Sequence, residues 1–485
     1  VNALVAYGSY LPHHRLDLTD IGAVLGTPGG RGRRTVAGYD EDTTSMAVEA
    51  GRAALAGFPR DEIGSLLLAI GEPPYLDRTN AAAAHAALRL PGSALAMDLI
   101  GSARAGAAAL ATAATSPGPT LAVLSDLRGG LPGGADERSG GDAAAAFVLA
   151  PPRPDRPALA EVLATAWTTD ELFDRWRVPG EPASHVWEER FAEGPYTDHG
   201  LDVLRRALRE AGVEIGAVDH LIVTGLHQRA ARAVAARAGA RREAVTDTLV
   251  TRAGNPGTAQ AGLLLADVLD RAGAGEVVVL VVLGDGASCL VLRTTAALPD
   301  HRAPVTVASQ LEGGAPVSYG TFLTWRGHLV REPPRRPDPQ PTAAPPAHRA
   351  TPYKYGLVAG RCSACDTVNI PAEHVCVRCG AVDTQQPHPL AERGGRVVTF
   401  SIDHLAFSPS PPVIAAVVDF AGGGRLICEL TDVDPGDVVV GMPVRMTFRR
   451  TASAAGVHNY FWKARPDVTA VSGEPANTQA ASAHG

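Results

Sequence analysis

Four cysteines stand in two C-x2-C pairs, Cys362-Ser363-Ala364-Cys365 and Cys376-Val377-Arg378-Cys379, with ten residues between the pairs. Four thiolates at this spacing can surround one tetrahedral ion, and zinc is the ion such sites hold. A full set of four sulfur ligands leaves no open position for water, so the expected zinc is structural and not catalytic. Free thiols or a redox pair are the competing reading, and the paired spacing favours the metal. Cys289 lies in a strongly apolar run and reads as a small core residue.

Other groups able to do chemistry are scattered before residue 330. His227 follows the apolar run Leu221-Ile222-Val223-Thr224 and precedes an Ala/Arg-rich helical stretch. An imidazole there either moves a proton or caps the helix. Asn255 sits in Gly254-Asn255-Pro256-Gly257-Thr258, where its amide could donate to an oxyanion or simply shape a turn. Glu72 follows a short apolar strand and is either an acid/base or an ordinary loop carboxylate. Lysine occurs only at 354 and 463, which excludes Schiff-base chemistry over residues 1–353.

These groups need an α/β frame to bring them together. Residues 3–8, 64–71 and 120–125 read as apolar strands, 42–56 as a helix capped by Asp42 or Thr43, and 104–115 as a buried helix. Strand, glycine turn, small residues and strand occur at Leu121–Leu149 and again at Val277–Leu292, which predicts an internally duplicated domain. Seven prolines in 332–350 mark a semi-rigid linker. Beyond the cysteines, 396–402, 413–420, 425–431 and 444–450 alternate between turns and predict a small β-barrel. Residues 467–485 are small and polar without periodicity, the composition of a disordered tail. A net charge of −7 and the absence of a basic stripe argue against nucleic acid. No apolar run reaches the ~18 residues of a membrane span. No signal peptide is recognisable, and few cysteines outside the metal spacing point to the cytosol.

Asp98-Leu99-Ile100-Gly101-Ser102-Ala103-Arg104-Ala105-Gly106 resembles the nucleophile turn of the thiolase superfamily, most closely its 3-hydroxy-3-methylglutaryl-CoA (HMG-CoA) synthase branch. Aligned on Asp98 or on Gly106, the position of the family's cysteine falls on Ala103. Gly8–Pro12, Asp40–Thr43, Trp167–Asp170 and Ser318–Phe322 with Trp325-Arg326-Gly327 match the same branch, so the resemblance spans about 1–330. Residues 354–466 resemble the domain of unknown function 35 (DUF35) family, which joins a rubredoxin-like ribbon to an oligonucleotide/oligosaccharide-binding (OB) barrel and accompanies thiolase-like enzymes.

The resemblance implies a duplicated five-layer αβαβα domain with halves at 1–160 and 161–331. It is followed by the linker 332–352, a zinc ribbon at 353–390, an OB-fold barrel at 391–466 and the tail 467–485. It implies that His227 polarises a thioester carbonyl, that Asn255 assists it, that Glu72 is the acid/base, and that Gly286 and Ala103 offer backbone N–H groups to an oxyanion. A methyl group cannot form a thioester, so the family's acyl-enzyme is excluded at Ala103. Ser102 is the neighbouring substitute hydroxyl, Tyr319 a candidate proton donor, and Arg104 a candidate anion binder. The expected function is aldol, retro-aldol, Claisen or decarboxylative chemistry on an acyl-CoA or acyl-carrier thioester, in a homodimer of specialised metabolism. The alternatives are an acyltransferase using direct attack or another nucleophile, and a non-catalytic acyl-CoA scaffold.

Overall fold

The structure is a computed structural model that describes residues 2–333, 340 and 343–467. Residues 334–339 and 341–342 of the expected linker, and the expected tail from 468 onward, lie outside the described residues. The chain divides into two compact units. Unit 1 is Val1–Ala344 with Phe448–Tyr460, and unit 2 is Pro345–Thr447 with Phe461–Gly485.

Unit 1 repeats one strand arrangement. Its first half holds β1 (Ala3–Tyr10), β2 (Ser65–Ile70), β3 (Leu95–Ile100), β4 (Thr120–Leu127) and β5 (Asp142–Ala150), in the order β3-β2-β4-β5-β1. Strand β2 runs parallel to β3 and β4, while β5 is antiparallel to β4 and β1. The second half holds β6 (Ala160–Thr169), β7 (His220–Gly225), β8 (Val277–Leu283) and β9 (Gly286–Thr294), in the order β7-β8-β9-β6. Here β7 and β8 are parallel and β9 is antiparallel to β8 and β6. A parallel bridge between Leu221 and Val245 stands where β3 stands in the first half. The two glycine-rich strings of the sequence are the corresponding hairpins β4–β5 and β8–β9.

Helices complete the layers. α1 (Thr43–Ala54) packs on β1 and β5; α2 (Ala105–Thr115) packs on β2 and β4; α3 (Glu189–Ala211) covers β6 and β9. α4 (Gln228–Arg237) follows β7, and α5 (Gln260–Leu269) packs on strands of both halves. The inner helices share one core, in which Ala109 and Leu110 of α2 and Leu264 and Val268 of α5 join Phe147 and Leu280 of the strands. This gives the expected αβαβα stack. Helix α1 begins at a reciprocal cap, with Asp42 Oδ1 accepting from Ser45 N–H and Ser45 Oγ from Asp42 N–H, both at 2.8 Å. Such a cap contributes about 1 kcal/mol. Alanine richness in α2 serves close approach: a side chain on Gly106 would put its Cβ 2.5 Å from the carbonyl of Thr258.

The tip of the hairpin formed by the last two barrel strands, Phe448–Tyr460, groups with unit 1. Arg449 ion-pairs with Glu41, and the Tyr460 hydroxyl donates to Asp42 at 2.7 Å. Charge pairing along one β-hairpin carries no periodicity signal, so the pattern of the barrel strands hid it.

In unit 2, Val358–Cys362 pairs with Val368–Asn369 and Gln385–Pro389 to form the ribbon. A closed barrel follows, made of Gly395–Asp403, Val413–Phe420, Arg425–Leu430, Pro443–Ala454 and Val457–Pro466. The last strand was not anticipated, because Asn459, Lys463 and Arg465 break its apolar pattern. Lys463 is buried and pairs with Glu429 at 2.6 Å. The end of the expected linker is helical over Ala344–Arg349 and Thr351–Lys354, with Pro345, Pro346 and Pro352 near the helix starts, where a missing N–H is tolerated.

Candidate active site

In unit 1 the carboxyl ends of the parallel strands β2, β3 and β4, and of β7 and β8, all feed one cavity. Ligands of α/β sheets bind at such ends. The cavity measures about 790 Å3, and its wall includes Glu72 after β2, Ser102 and Ala103 after β3, Asp126 at the end of β4, His227 after β7, and Gly284 and Asp285 after β8.

Ala103 is buried in this wall. Its turn is closed by Ala105 N–H donating to the Ser102 carbonyl at 3.0 Å and by Arg104 N–H donating to Ser102 Oγ at 3.3 Å. The hydroxyl of Ser102 is thus drawn into its own turn. Among the described residues the Ala103 N–H has no hydrogen-bond acceptor. Arg104 turns away from the cavity wall. Its Nε donates to Ser288 Oγ at 2.9 Å, and its Nη1 to Asp285 O at 2.9 Å and Thr169 Oγ1 at 3.1 Å. The loop it grips is backbone-strained, with φ of +46° at Asp285 and +106° at Gly286. Gly286 begins β9 behind the wall, where a Cβ would lie 2.1 Å from the Thr168 carbonyl.

Glu72 lies at the cavity mouth, half exposed, with its carboxylate 3.1 Å from Arg177 Nη1. His227 is buried with both ring nitrogens engaged. Nδ1 accepts from Ala230 N–H at 3.1 Å, and Nε2 lies 2.8 Å from the Glu189 carbonyl. A carbonyl only accepts and an N–H only donates, so the proton sits on Nε2 and the ring is neutral. His227 is the cap of α4 while also facing the cavity. Asn255 lies outside the wall, its Nδ2 donating to Gly225 O at 3.0 Å and its Oδ1 accepting from Gly257 N–H at 2.9 Å. It ties the end of β7 to the start of α5. The structure therefore gathers Ala103, Glu72 and His227 around one space and sets Asn255 and Gly286 behind them as supports.

Tyr319 donates to the Glu137 carboxylate at 3.0 Å away from the cavity wall. Burial pushes the Cys289 thiol up to about 12, consistent with a core residue.

Two features of the wall carry no counterpart in the sequence reading. One is Asp126, whose carboxylate is buried and accepts from Thr258 N–H at 2.9 Å. Burial first, and the nearby Glu72 charge, push it up to about 6, against the pull of that N–H, Arg128 and Arg177. A lone acid ending an otherwise apolar strand, Leu121–Ser125, was the available signal. The other is the segment 174–184. Asp136 holds it by accepting from Arg175 Nη1 at 2.9 Å and Ser184 N–H at 2.7 Å, and also pairs with Arg128 at 2.9 Å. Trp176 stacks between Phe173 and His185 at centroid distances of 4.6 and 5.3 Å. This segment has neither helical nor strand periodicity, so only the fold shows where it lies.

In unit 2 the four cysteine sulfurs lie within 4.8 Å of one another, with Cys362–Cys379 at 3.7 Å and Cys365–Cys376 at 3.6 Å. Tetrahedral Zn–S bonds of about 2.3 Å demand sulfur separations of about 3.8 Å, so the four fit zinc.

Comparison with known proteins agrees with this geometry. Residues 208–294 match the family described as 3-oxoacyl-[acyl-carrier-protein (ACP)] synthase III C terminal. Residues 352–383 match the ChsH2 rubredoxin-like zinc ribbon domain, and 388–449 the ChsH2 C-terminal OB-fold domain. A hydroxymethylglutaryl-CoA synthase of Archaeoglobus fulgidus is 29% identical over 342 residues, covering 67% of this chain and 98% of that protein. A DUF35 domain-containing scaffold protein of Methanocaldococcus jannaschii is 31% identical over 118 residues, covering 23% of this chain and 83% of that protein. A solved HMG-CoA synthase complexed with CoA shares the fold at a TM-score of 0.54 and 15% identity, over 66% of this chain and 89% of that one. The chain thus joins a thiolase-like α/β domain, similar to HMG-CoA synthases, to a C-terminal zinc ribbon and OB fold that belong to the DUF35 family.

Proposed function

We propose that unit 1 makes or breaks a carbon–carbon bond next to the carbonyl of a CoA or acyl-carrier thioester, through an enolate and without an acyl-enzyme. The observation that carries this reading is Ala103, which faces the cavity with a methyl group and an unengaged N–H. Covalent capture is lost, while a donor for a thioester oxygen is kept. The HMG-CoA synthase relatives support thioester chemistry, and the CoA-bound neighbour supports CoA as the carrier.

In this reading the thioester oxygen lies against Ala103 N–H, and Gly286 steadies the loop carrying Gly284 and Asp285. Negative charge that builds on that oxygen is held by a fixed dipole rather than by water. Glu72 serves as an acid/base at the mouth once its partner Arg177 moves aside. His227 adds a second donor when its Nε2–H leaves the Glu189 carbonyl, and Asn255 sets the backbone from which that histidine is presented.

A scaffold that binds acyl-CoA without turning it over is the second reading. It is favoured by the engagement of both His227 nitrogens with main chain. Ala103→Cys tests the first reading. If the N–H lies at the thioester oxygen, a thiol placed there takes the acyl group from acetyl-CoA, and the protein gains 1 acetyl mass, about 42 Da. A variant that binds acetyl-CoA yet stays unmodified contradicts an intact oxyanion site and favours the scaffold.

A further inference from the structure

Asp126 is built into the cavity in a way its neighbours enforce. Gly71 and Gly257 flank its carboxylate, and a Cβ on either would fall 2.4 or 2.5 Å from Oδ2. Both glycines line the cavity with Asp126, so their missing side chains leave the carboxylate open toward that space. Thr258 links it to the reacting turn: its N–H donates to Asp126 Oδ2 at 2.9 Å and its hydroxyl to the Ser102 carbonyl at 3.4 Å. The charged groups facing Asp126 are Glu72, Arg128 and Arg177, and the two cations are themselves paired, to Asp136 and Glu72. Leu127 N–H donates to the other oxygen, Oδ1, at 3.0 Å, so two backbone donors fix a buried carboxylate that lines the cavity, an arrangement suited to moving protons.

We propose that Asp126 is the residue that takes the proton from the carbon α to the thioester, in addition to the acid/base Glu72 at the cavity mouth. The inference rests on the enolate reading above. In the forward direction the Cα–H bond breaks, the proton passes to an Asp126 oxygen, and the electron pair becomes the enolate. The enolate carbon then bonds to the acceptor carbonyl, and the proton on Asp126 passes to the new alkoxide. Retro-aldol cleavage runs the same steps backward, with Asp126 first taking the hydroxyl proton. The position of the pKa, raised to about 6, keeps the group mostly ionised at neutral pH and still basic enough to accept a proton.

The test is the exchange of α-deuterium from deuterated acetyl-CoA into water, followed by NMR on the full chain between pH 5 and 8. Wild type is expected to exchange with a rate that rises through pH ~6 and levels off. Asp126→Asn is expected to exchange at least ~100-fold more slowly while binding acetyl-CoA within about threefold of wild type. Arg128→Gln removes a positive neighbour and moves the inflection to higher pH. A merely structural Asp126 would instead show lost folding in Asp126→Asn and no shift of the profile on Arg128→Gln. A flat wild-type profile, or unchanged exchange in Asp126→Asn, overturns the assignment while leaving the enolate reading standing. Wild type that binds acetyl-CoA but exchanges no deuterium contradicts the enolate reading itself, and the role of Asp126 with it.

Discussion

The guanidinium of Arg104 donates to the carbonyl of Asp285 at 2.9 Å and so bolts the turn bearing Ala103 to the adjacent glycine loop. Two loops that close different strands are held in register by one side chain. Backbone donors on these loops can act together only if their separation is fixed. Arg104→Ala is expected to lower kcat about tenfold with little change in KM, because ground-state contacts remain while the oxyanion geometry loosens. Arg104→Lys, which keeps charge but not the planar fork, should recover only part of the rate. Steady-state kinetics with the true substrate checks this; equal loss in KM and kcat/KM with normal kcat would speak against a positioning role.

Asp126 also makes a stability prediction of definite sign. Its folded-state value of about 6 lies above the ordinary 3.8, so the folded protein binds this proton more tightly than the unfolded chain. Its contribution to stability is therefore full below pH 4 and is lost as pH rises from about 4 to 6, a change of about 3 kcal/mol at most. Asp126→Asn removes the buried charge but leaves one oxygen for the two N–H donors of Thr258 and Leu127, so its stability relative to wild type should rise from pH 4.5 to pH 8. Urea unfolding at pH 4.5 and pH 8 measures this. A variant weaker than wild type by a larger margin at pH 8 than at pH 4.5 would reverse the sign.

Gly71 offers a steric counterpart. Gly71→Ala forces a Cβ to within 2.4 Å of the Asp126 carboxylate. The carboxylate or the β2 end must shift, at an expected cost of about 1–3 kcal/mol in stability and a large loss of turnover. Thermal melts together with α-proton exchange separate the two effects; unchanged exchange would mean that the carboxylate is not approached from that side.

The zinc ribbon predicts one zinc per chain. Cys376→Ser removes a buried ligand and should abolish stoichiometric zinc in elemental analysis. Chelation should release protection of backbone amides over 358–389 in hydrogen exchange. Amides that stay protected after zinc removal would show that the ribbon folds on hydrophobic packing alone.

Much of this architecture is legible in the chain. The cysteine spacing, the capped helix after Asp42 and the all-apolar strand Val277–Leu283 state their structures through short-range patterns. The duplication is readable because β4–β5 and β8–β9 repeat the same turn chemistry. Asp126 stays hidden since a single acid has no pattern, and its meaning depends on Gly71 and Gly257, which are 55 and 131 residues away in sequence. His227 illustrates the opposite limit. Strand and helix periodicity locate it well, yet only the tertiary structure brings the Glu189 carbonyl to its Nε2. The placement of 448–460 in unit 1 likewise rests on buried ion pairs such as Arg449–Glu41, which join residues some 400 positions apart.

The central claim is thioester chemistry without covalent capture, and intact-protein mass spectrometry of wild type during turnover tests it most directly. Released product should accumulate while the protein mass stays that of the unmodified chain at every time point. An acyl adduct that forms and decays at the rate of turnover would contradict the account and require a nucleophile other than the residue at 103.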